Sequence, residues 1–377
     1  MKTYRLIIPV WLAGLTGPGA IAGHLEKVWE LQLARVIKEP SDLASLSEHT
    51  VLAASFSPTG NRIALIVDLH QSDDRIRSHL IIMGIESPGS EVQQFDVESR
   101  ARIDEIDWSE QGDVILVNGT LINLRTGTRC ASPEGRRFAG PQSLVSASMD
   151  VQIPFSNSVS RFSLMGLNCE LKESWDVHEP WGIKDTSQAR GLLAVARLGS
   201  SVKVGAVEYL IVDVQSRKIR QRWPAADFGG GEMRFAENGK SLCSAGGVGG
   251  FSERVKGFAN CWDVDTGEKT AETHAVEGGA PMATAAKAAT AIITDLRYQP
   301  YIIMDGGATV QRRRVVWDFK TGQEIASWRP GLQRYLMQLG KDKSDWYSSP
   351  FPFAISPNGQ YVIEGGNGVM RLYEILR

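Results

Sequence analysis

Two phrases in this chain nearly coincide: "FSPTGNRIALIV" from Phe56 to Val67, and "ISPNGQYVIEGG" from Ile355 to Gly366. A phrase written once near the start and again at the very end points to a repeated structural unit, which constrains the fold more than length or composition does. Three further stretches share its grammar of a short apolar strand, a Gly or Asn turn, a second apolar strand, a loop, and a third strand closed by a Thr-Gly turn. They are "IDWSEQGDVILVNG" with "LINLRTGTRC", "MRFAENGKSLCSAGG" with "CWDVDTGEKTAE", and "TAIITDLRY" with "VVWDFKTGQEIASW". Pro58-Thr59-Gly60-Asn61, Glu237-Asn238-Gly239-Lys240 and Pro357-Asn358-Gly359-Gln360 tolerate the positive φ that a tight hairpin demands.

Aligned on this grammar, first strands are expected near Val51, Ile103, Ser143, Gly182, Glu232, Pro281 and Pro352, mostly at the spacing of roughly 40 to 50 residues of a four-stranded propeller blade. The strands are short, rich in Val, Ile, Leu and aromatics, and bounded by turn residues, as in antiparallel meanders. No long stretch has helical periodicity. Trp262-Asp263 and Trp317-Asp318 end third strands, with Leu372-Tyr373-Glu374 and Trp29-Glu30 as degenerate versions. On these residues the chain resembles the WD-repeat β-propellers over most of 25–377. The Gly-His dipeptide that opens repeats of that family is missing, and the quinoprotein-like or TolB-like propellers fit equally well. The resemblance implies an all-β, seven-bladed propeller of four-stranded antiparallel blades. The last unit stops after its third strand, so the strand-like segment "LEKVWELQLARVI" from Leu25 to Ile37 is expected to complete it and close the ring.

Ahead of that segment, Lys2 and Arg5 precede a mostly apolar run from Leu6 to Leu15, and Ala20-Ile21-Ala22 supplies the small-x-small pattern of a cleavage site. Residues 1–22 therefore read as a secretory signal peptide, and residues 23–377 as one propeller domain of a secreted or periplasmic protein. The run is too short for a membrane span. Export permits disulfides. Of the four cysteines, Cys243 and Cys261 fall on neighbouring antiparallel strands, where a bridge and a pair of buried thiols are both open. With Lys plus Arg at 41 against Asp plus Glu at 43, a formal charge of -2 gives no reason to expect nucleic acid or an anionic membrane as partner.

Turns joining first to second and third to fourth strands lie on one face of a propeller, and in this chain they are uniformly short. Insertions fall in the other class of connection: "HQSDDRIRSH", "GGVGGFSERVKGFA", "QPYIIMDGGATVQRRR" and "RPGLQRYLMQLGKDKSDWYSSPF". Elaborated loops on a rigid scaffold are where binding residues gather. The candidate binding residues are therefore Arg75, Arg77, Arg254, Lys256, Arg312 and Arg313, whose cations suit carboxylates or phosphates, and Trp346 and Tyr347, aromatic anchors for an interface or a sugar ring. Arg312 to Arg314 also fit an alternating strand.

Linear catalytic motifs are missing: there is no G-x-S-x-G elbow, P-loop or G-x-G-x-x-G, and the six histidines have no metal-ligand spacing. Only His70 and His79, flanking Asp73 and Asp74, suggest a metal cluster. A propeller can still converge charged groups on its axis, and Asp104, Glu105, Asp107, Lys184, Asp185 and Glu232 are the first-strand candidates. The expectation is a non-catalytic, monomeric module without cofactor that binds another protein or an extracellular ligand through its long-loop face. The alternative is a lactonase-like or quinoprotein-like enzyme with an axial metal or cofactor.

Overall fold

The computed structural model describes residues 24–37, 48–70, 76–97, 106–117, 119–131, 136–150, 157–199, 206–224, 232–248, 256–277, 283–285, 287, 289–304, 307–328, 334–336, 353–366 and 368–376. Its strands pair into seven antiparallel sheets. The first is built from Glu48–Phe56, Arg62–His70, Ile76–Gly84 and Gln93–Val97, and the second from Ile106–Trp108, Val114–Val117, Thr120–Asn123 and Arg129–Ala131. The third holds Arg136–Gly140, Ser143–Asp150, Val159–Gly166 and Leu171–Val177; the fourth, Trp181–Ser187, Leu192–Leu198, Ala206–Asp213 and Ile219–Pro224. The fifth holds Glu232–Ala236, Ser241–Val248, Lys256–Asp263 and Lys269–Glu277; the sixth, Ala283–Ala285, Ala291–Met304, Gly307–Asp318 and Gln323–Trp328, with Arg334–Leu336 added to its third strand. In the last sheet, Phe353–Ile355, Tyr361–Gly366 and Val369–Leu376 are joined by His24–Gln32. That N-terminal strand pairs with Val369–Leu376 from His24↔Leu376 to Gln32↔Val369, with a bulge between Lys27 and Trp29.

The sheets form a propeller because each is apolar on both faces and shares a core with each neighbour. Ile63, Leu65 and Val67 of the first sheet pack on Ile363, Met370 and Leu372 of the last, while Ala64, Ile66 and Leu80 on the opposite face meet Trp108, Ile115 and Val117 of the second. This is the period-two alternation of a strand buried on both sides. Comparable clusters join the third sheet to its two neighbours, and so on round to the sixth and last. First strands touch in the same circular order, with Phe353–Ile355 beside Glu48–Phe56 closing it. Arranging the sheets radially in a ring leaves only short, protected strand edges.

Side chains that hold the turns explain why the grammar recurs. At Ser57, Ser109 and Ser356, each buried, the hydroxyl accepts the N–H of the residue opening the next strand: Arg62 at 3.1 Å, Val114 at 3.0 Å and Tyr361 at 2.8 Å. Gly60, Gly112 and Gly359 then take positive φ. At the third-to-fourth turns an Asn or Asp carboxamide or carboxylate accepts N–H groups two and three residues on. Asn123 takes Arg125 and Thr126, Asp263 takes Asp265 and Thr266, and Asp318 takes Lys320 and Thr321. The Gly that follows, Gly127, Gly267 or Gly322, sits at φ between +66° and +77°. Arg217 occupies the same place after Asp213 at φ 59°, and its guanidinium lies 5.4 Å from the Trp175 ring of the third sheet.

The Asp263 turn gives a pH-dependent expectation. The Thr266 N–H holds the Asp263 carboxyl below its ordinary range. A depressed folded pKa contributes stability that is fully present above the unfolded value of about 3.9 and is lost as pH falls through the folded one. Asp263→Ala is expected to cost about 1–2 kcal/mol at neutral pH, with the deficit shrinking below about pH 4, whereas Asp263→Asn keeps most of the neutral stability. Urea denaturation at several pH values checks this; an alanine deficit that does not change with pH would contradict it.

Three sequence expectations are corrected. Ser143 opens a second strand rather than a first: Arg136–Gly140 is the innermost strand of that sheet, paired Arg136↔Ser146 to Gly140↔Ser143. The insertion "QPYIIMDGGATVQRRR" is not a loop. Ala291–Met304 and Gly307–Asp318 run as one long hairpin with a single irregularity between Tyr298 and Ile302, so Arg312 and Arg313 are strand residues opposite Arg297 and Leu296. The flanks of "HQSDDRIRSH" and "GGVGGFSERVKGFA", residues 70, 76–79, 246–248 and 256–259, are strand residues, which puts Arg77 opposite Leu69 and Lys256 opposite Val248, while residues 71–75 and 249–255 lie outside the described residues.

All four cysteines are bridged. Cys243–Cys261 lies within the fifth sheet, between directly opposed residues with a Cα–Cα distance of 4.1 Å. Cys130–Cys169 crosses from the outer strand of the second sheet to a turn of the third, at 6.2 Å.

Candidate functional site

Charged side chains converge where the first strands meet, and their signs alternate from sheet to sheet: Asp107 on the second, Arg137 on the third, Asp185 on the fourth and Arg234 on the fifth. A shared local sequence positions them. "IDWS" and "KDTS" place an Asp two residues before the Ser that begins the hairpin, while "RRFA" and "MRFA" place an Arg before a buried Phe. Each Asp accepts the N–H of that Phe on the following sheet, Phe138 to Asp107 at 3.2 Å and Phe235 to Asp185 at 2.6 Å. Each Arg donates to the carbonyl just before it, Arg137 to Arg136 and Arg234 to Met233, both at 2.9 Å. A backbone donor on an innermost strand has no strand beyond it to pair with, and a carboxylate from next door satisfies it.

Further groups cross the ring. Lys287, from the sixth sheet, reaches Asp107 at 3.4 Å, and Asp107 also accepts the Trp108 N–H at 3.0 Å. Gln188 of the fourth sheet donates to the Trp108 carbonyl at 2.6 Å, while Lys287's own carbonyl accepts the Asn238 N–H at 2.6 Å. Burial pushes the Asp185 carboxyl above its ordinary value, and Arg234, the Phe235 N–H and Lys287 oppose that rise. Burial depresses Arg137 against the raising influence of Asp185. The arrangement is a polar core of fixed pairs, with carboxylates engaged by N–H donors and cations. Among the described residues no group of three His, Cys, Asp or Glu could hold a metal ion.

Of the first-strand candidates, Asp107 and Asp185 join this cluster. Lys184 is exposed at a bulge between Ile183 and Asp185. Asp104 and Glu105, and the side chain of Glu232, lie outside the described residues. The same holds for Arg75, Arg254, Trp346 and Tyr347, and for the side chains of Arg77, Lys256, Arg312 and Arg313. Arg314, next along that strand, turns inward and pairs with Glu364 at 2.9 Å. His79 pairs with Asp96 at 2.9 Å, while His70, Asp73 and Asp74 fall outside the described side chains. Sequence reasoning missed Arg137, Arg234, Gln188 and Lys287; the repeated Arg-Phe-Ala was the available signal for the first two.

No protein-family model matches the chain, and no curated protein does. Among solved structures, it is similar to the β-propeller domain of Myceliophteria thermophila Cps50 (Swd1), at TM-score 0.52 and 12% identity over 88% of this chain and 100% of that one. It is also similar to the Dos1 propeller, at 0.49 and 9% over 93% and 96%, and to the C-terminal WD40 domain of Sif2, at 0.44 and 13% over 87% and 82%. At such identities the likeness to Cps50 bears on fold alone, and the fold is a β-propeller of four-stranded antiparallel blades. No described helix is long and apolar enough to cross a membrane.

Proposed function

We propose that this chain is an exported, non-catalytic, seven-bladed propeller that serves as a protein-interaction scaffold through the face carrying its long connections. The observation that carries the reading is the axial cluster: Asp107 and Asp185 are spent on backbone N–H groups of neighbouring sheets and on Lys287 and Arg234, which suits a rigid hub. Export is supported by residues 1–22 and by the pairing of all four cysteines, since disulfides persist in oxidising compartments.

A photoreactive residue placed at 254 or 346, in the long connections, is expected to trap a partner protein in living cells. The same residue at Arg125 or Asp265, in short turns of the opposite face, is expected to trap none. Equal trapping from both faces, or none from either, would remove the scaffold reading. Stoichiometric metal in the purified protein, lost together with several degrees of melting temperature in chelator, would replace it with an enzymatic one. Residues 1–22 fused to alkaline phosphatase are expected to yield active, exported enzyme; an inactive fusion retained inside the cell would count against export.

A further inference from the structure

Arg136 opens the innermost strand of the third sheet and is 2% exposed. None of its three guanidinium nitrogens has a hydrogen-bond partner among the described residues. Alternation along the strand fixes where the side chain lies. Arg137 and Ala139 face the fourth sheet, near Asp185 and Trp181, whereas Phe138 packs with Val114, Leu116 and Leu121 of the second. Arg136 shares the Phe138 face and so lies between the second and third sheets. Its cross-strand neighbour on that face is Ser146, also buried. Burial depresses the Arg136 pKa, and no charged neighbour among the described residues opposes it.

A guanidinium sealed between two sheets with no counter-charge among the described residues is costly, and a stable fold tolerates it where a counter-charge is bound. The surroundings suit a small ion. Phe138 fills the interface on one side and the Cys130–Cys169 bridge ties the same two sheets further out, so the sheets cannot part widely. A guanidinium offers parallel N–H donors matched to a planar or tetrahedral oxyanion, and a serine hydroxyl adds another donor. We infer that Arg136 and Ser146 form a seat for a small oxyanion, carboxylate or phosphate, between the second and third blades. This site is separate from the partner-binding face proposed above and does not depend on it.

The test uses the purified full chain in buffers of equal ionic strength containing chloride, inorganic phosphate or acetate. Wild-type protein is expected to melt about 4 °C higher in phosphate or acetate than in chloride once the anion is on the order of 100-fold above its Kd. The arm with the larger shift distinguishes a phosphate from a carboxylate. Arg136→Met, which removes the charge and keeps the volume, is expected to melt at or above wild type in chloride and to lose the anion-dependent rise. Should the methionine variant not fold, Arg136→Lys carries the test, with a rise less than half that of wild type because the fork is lost. Identical melting of wild type in all three buffers would overturn the proposal. So would a rise undiminished in either variant. A methionine variant less stable than wild type in chloride, with no anion effect on either protein, would assign the guanidinium to a partner within the chain and also overturn it.

Discussion

A chain lacking residues 24–37 is expected to unfold at markedly lower denaturant than the intact one. The strand His24–Gln32 is the outermost strand of the last sheet, but its continuation does more than finish that sheet. Leu33, fully buried, and Val36 and Ile37 pack against Val51, Ile63 and Leu65 of the first sheet, while the Trp29 indole donates to the Ile85 carbonyl at 2.8 Å. The segment therefore bridges the two sheets at which the ring closes. Burying three such side chains contributes on the order of 5–9 kcal/mol, comparable with the whole stability of an ordinary domain, about 5–15 kcal/mol. The truncation also bares Val369–Leu376 as an unpaired edge, a template for association. Denaturation followed by circular dichroism, with sedimentation to detect oligomers, checks this. A synthetic peptide of residues 24–37 should restore part of the loss when added in trans; a truncated monomer with an unchanged midpoint would refute the closure.

Arg314→Ala is expected to cost about 3–5 kcal/mol, and Glu364→Ala a similar amount. Arg314, on the third strand of the sixth sheet, is fully buried, and its guanidinium lies 4.2 Å from the Phe353 ring while pairing with Glu364 of the last sheet at 2.9 Å. The second Glu364 oxygen accepts the Trp328 indole N–H at 3.0 Å. Removing either partner strands the other charge away from water. Replacing both with apolar residues of similar volume, Arg314→Met with Glu364→Leu, removes the two desolvation costs together and should recover most of the stability. Equilibrium denaturation of the two single variants and the double closes the cycle. Single variants within about 1 kcal/mol of wild type, or a double variant as unstable as the sum of the singles, would show that the pair is not a coupled buried unit.

The four-stranded antiparallel unit was legible because its turns are written in side chains: a Ser that caps a hairpin, and an Asn or Asp that captures two N–H groups before a Gly. Where chemistry departed from that pattern, reading faltered. "RRFAG" begins with two arginines and reads poorly as an apolar first strand, whereas the more apolar "SLVSASMD" beside it reads well as one, yet it is the second. "QPYIIMDGGATVQRRR" reads as a loop at its Pro and its Gly pair, yet its two arms pair across the sheet. The bridge between Cys130 and Cys169 was not visible because the residues belong to different repeats, 39 positions apart. Asp107 and Asp185 could be picked out as carboxylates on innermost strands. What they hold could not, because each partner, Phe138 or Phe235, is a backbone N–H, which carries no signature in sequence.

Glu30 and Arg371 meet at 2.9 Å although 341 positions separate them along the chain. On the ribosome, or emerging from a translocation pore, the first strand must wait until the last hairpin exists before it has anything to pair with. Six sheets can assemble from consecutive segments, each hairpin finding its mate close by; the last cannot. Ring closure is thus the late, long-range event of folding, and rates fall as contacts become more distant in sequence. Until it happens, "HLEKVWELQ" is an unsatisfied strand in a nascent chain, and a chaperone that shields it for that interval would govern how much of the protein reaches its closed form.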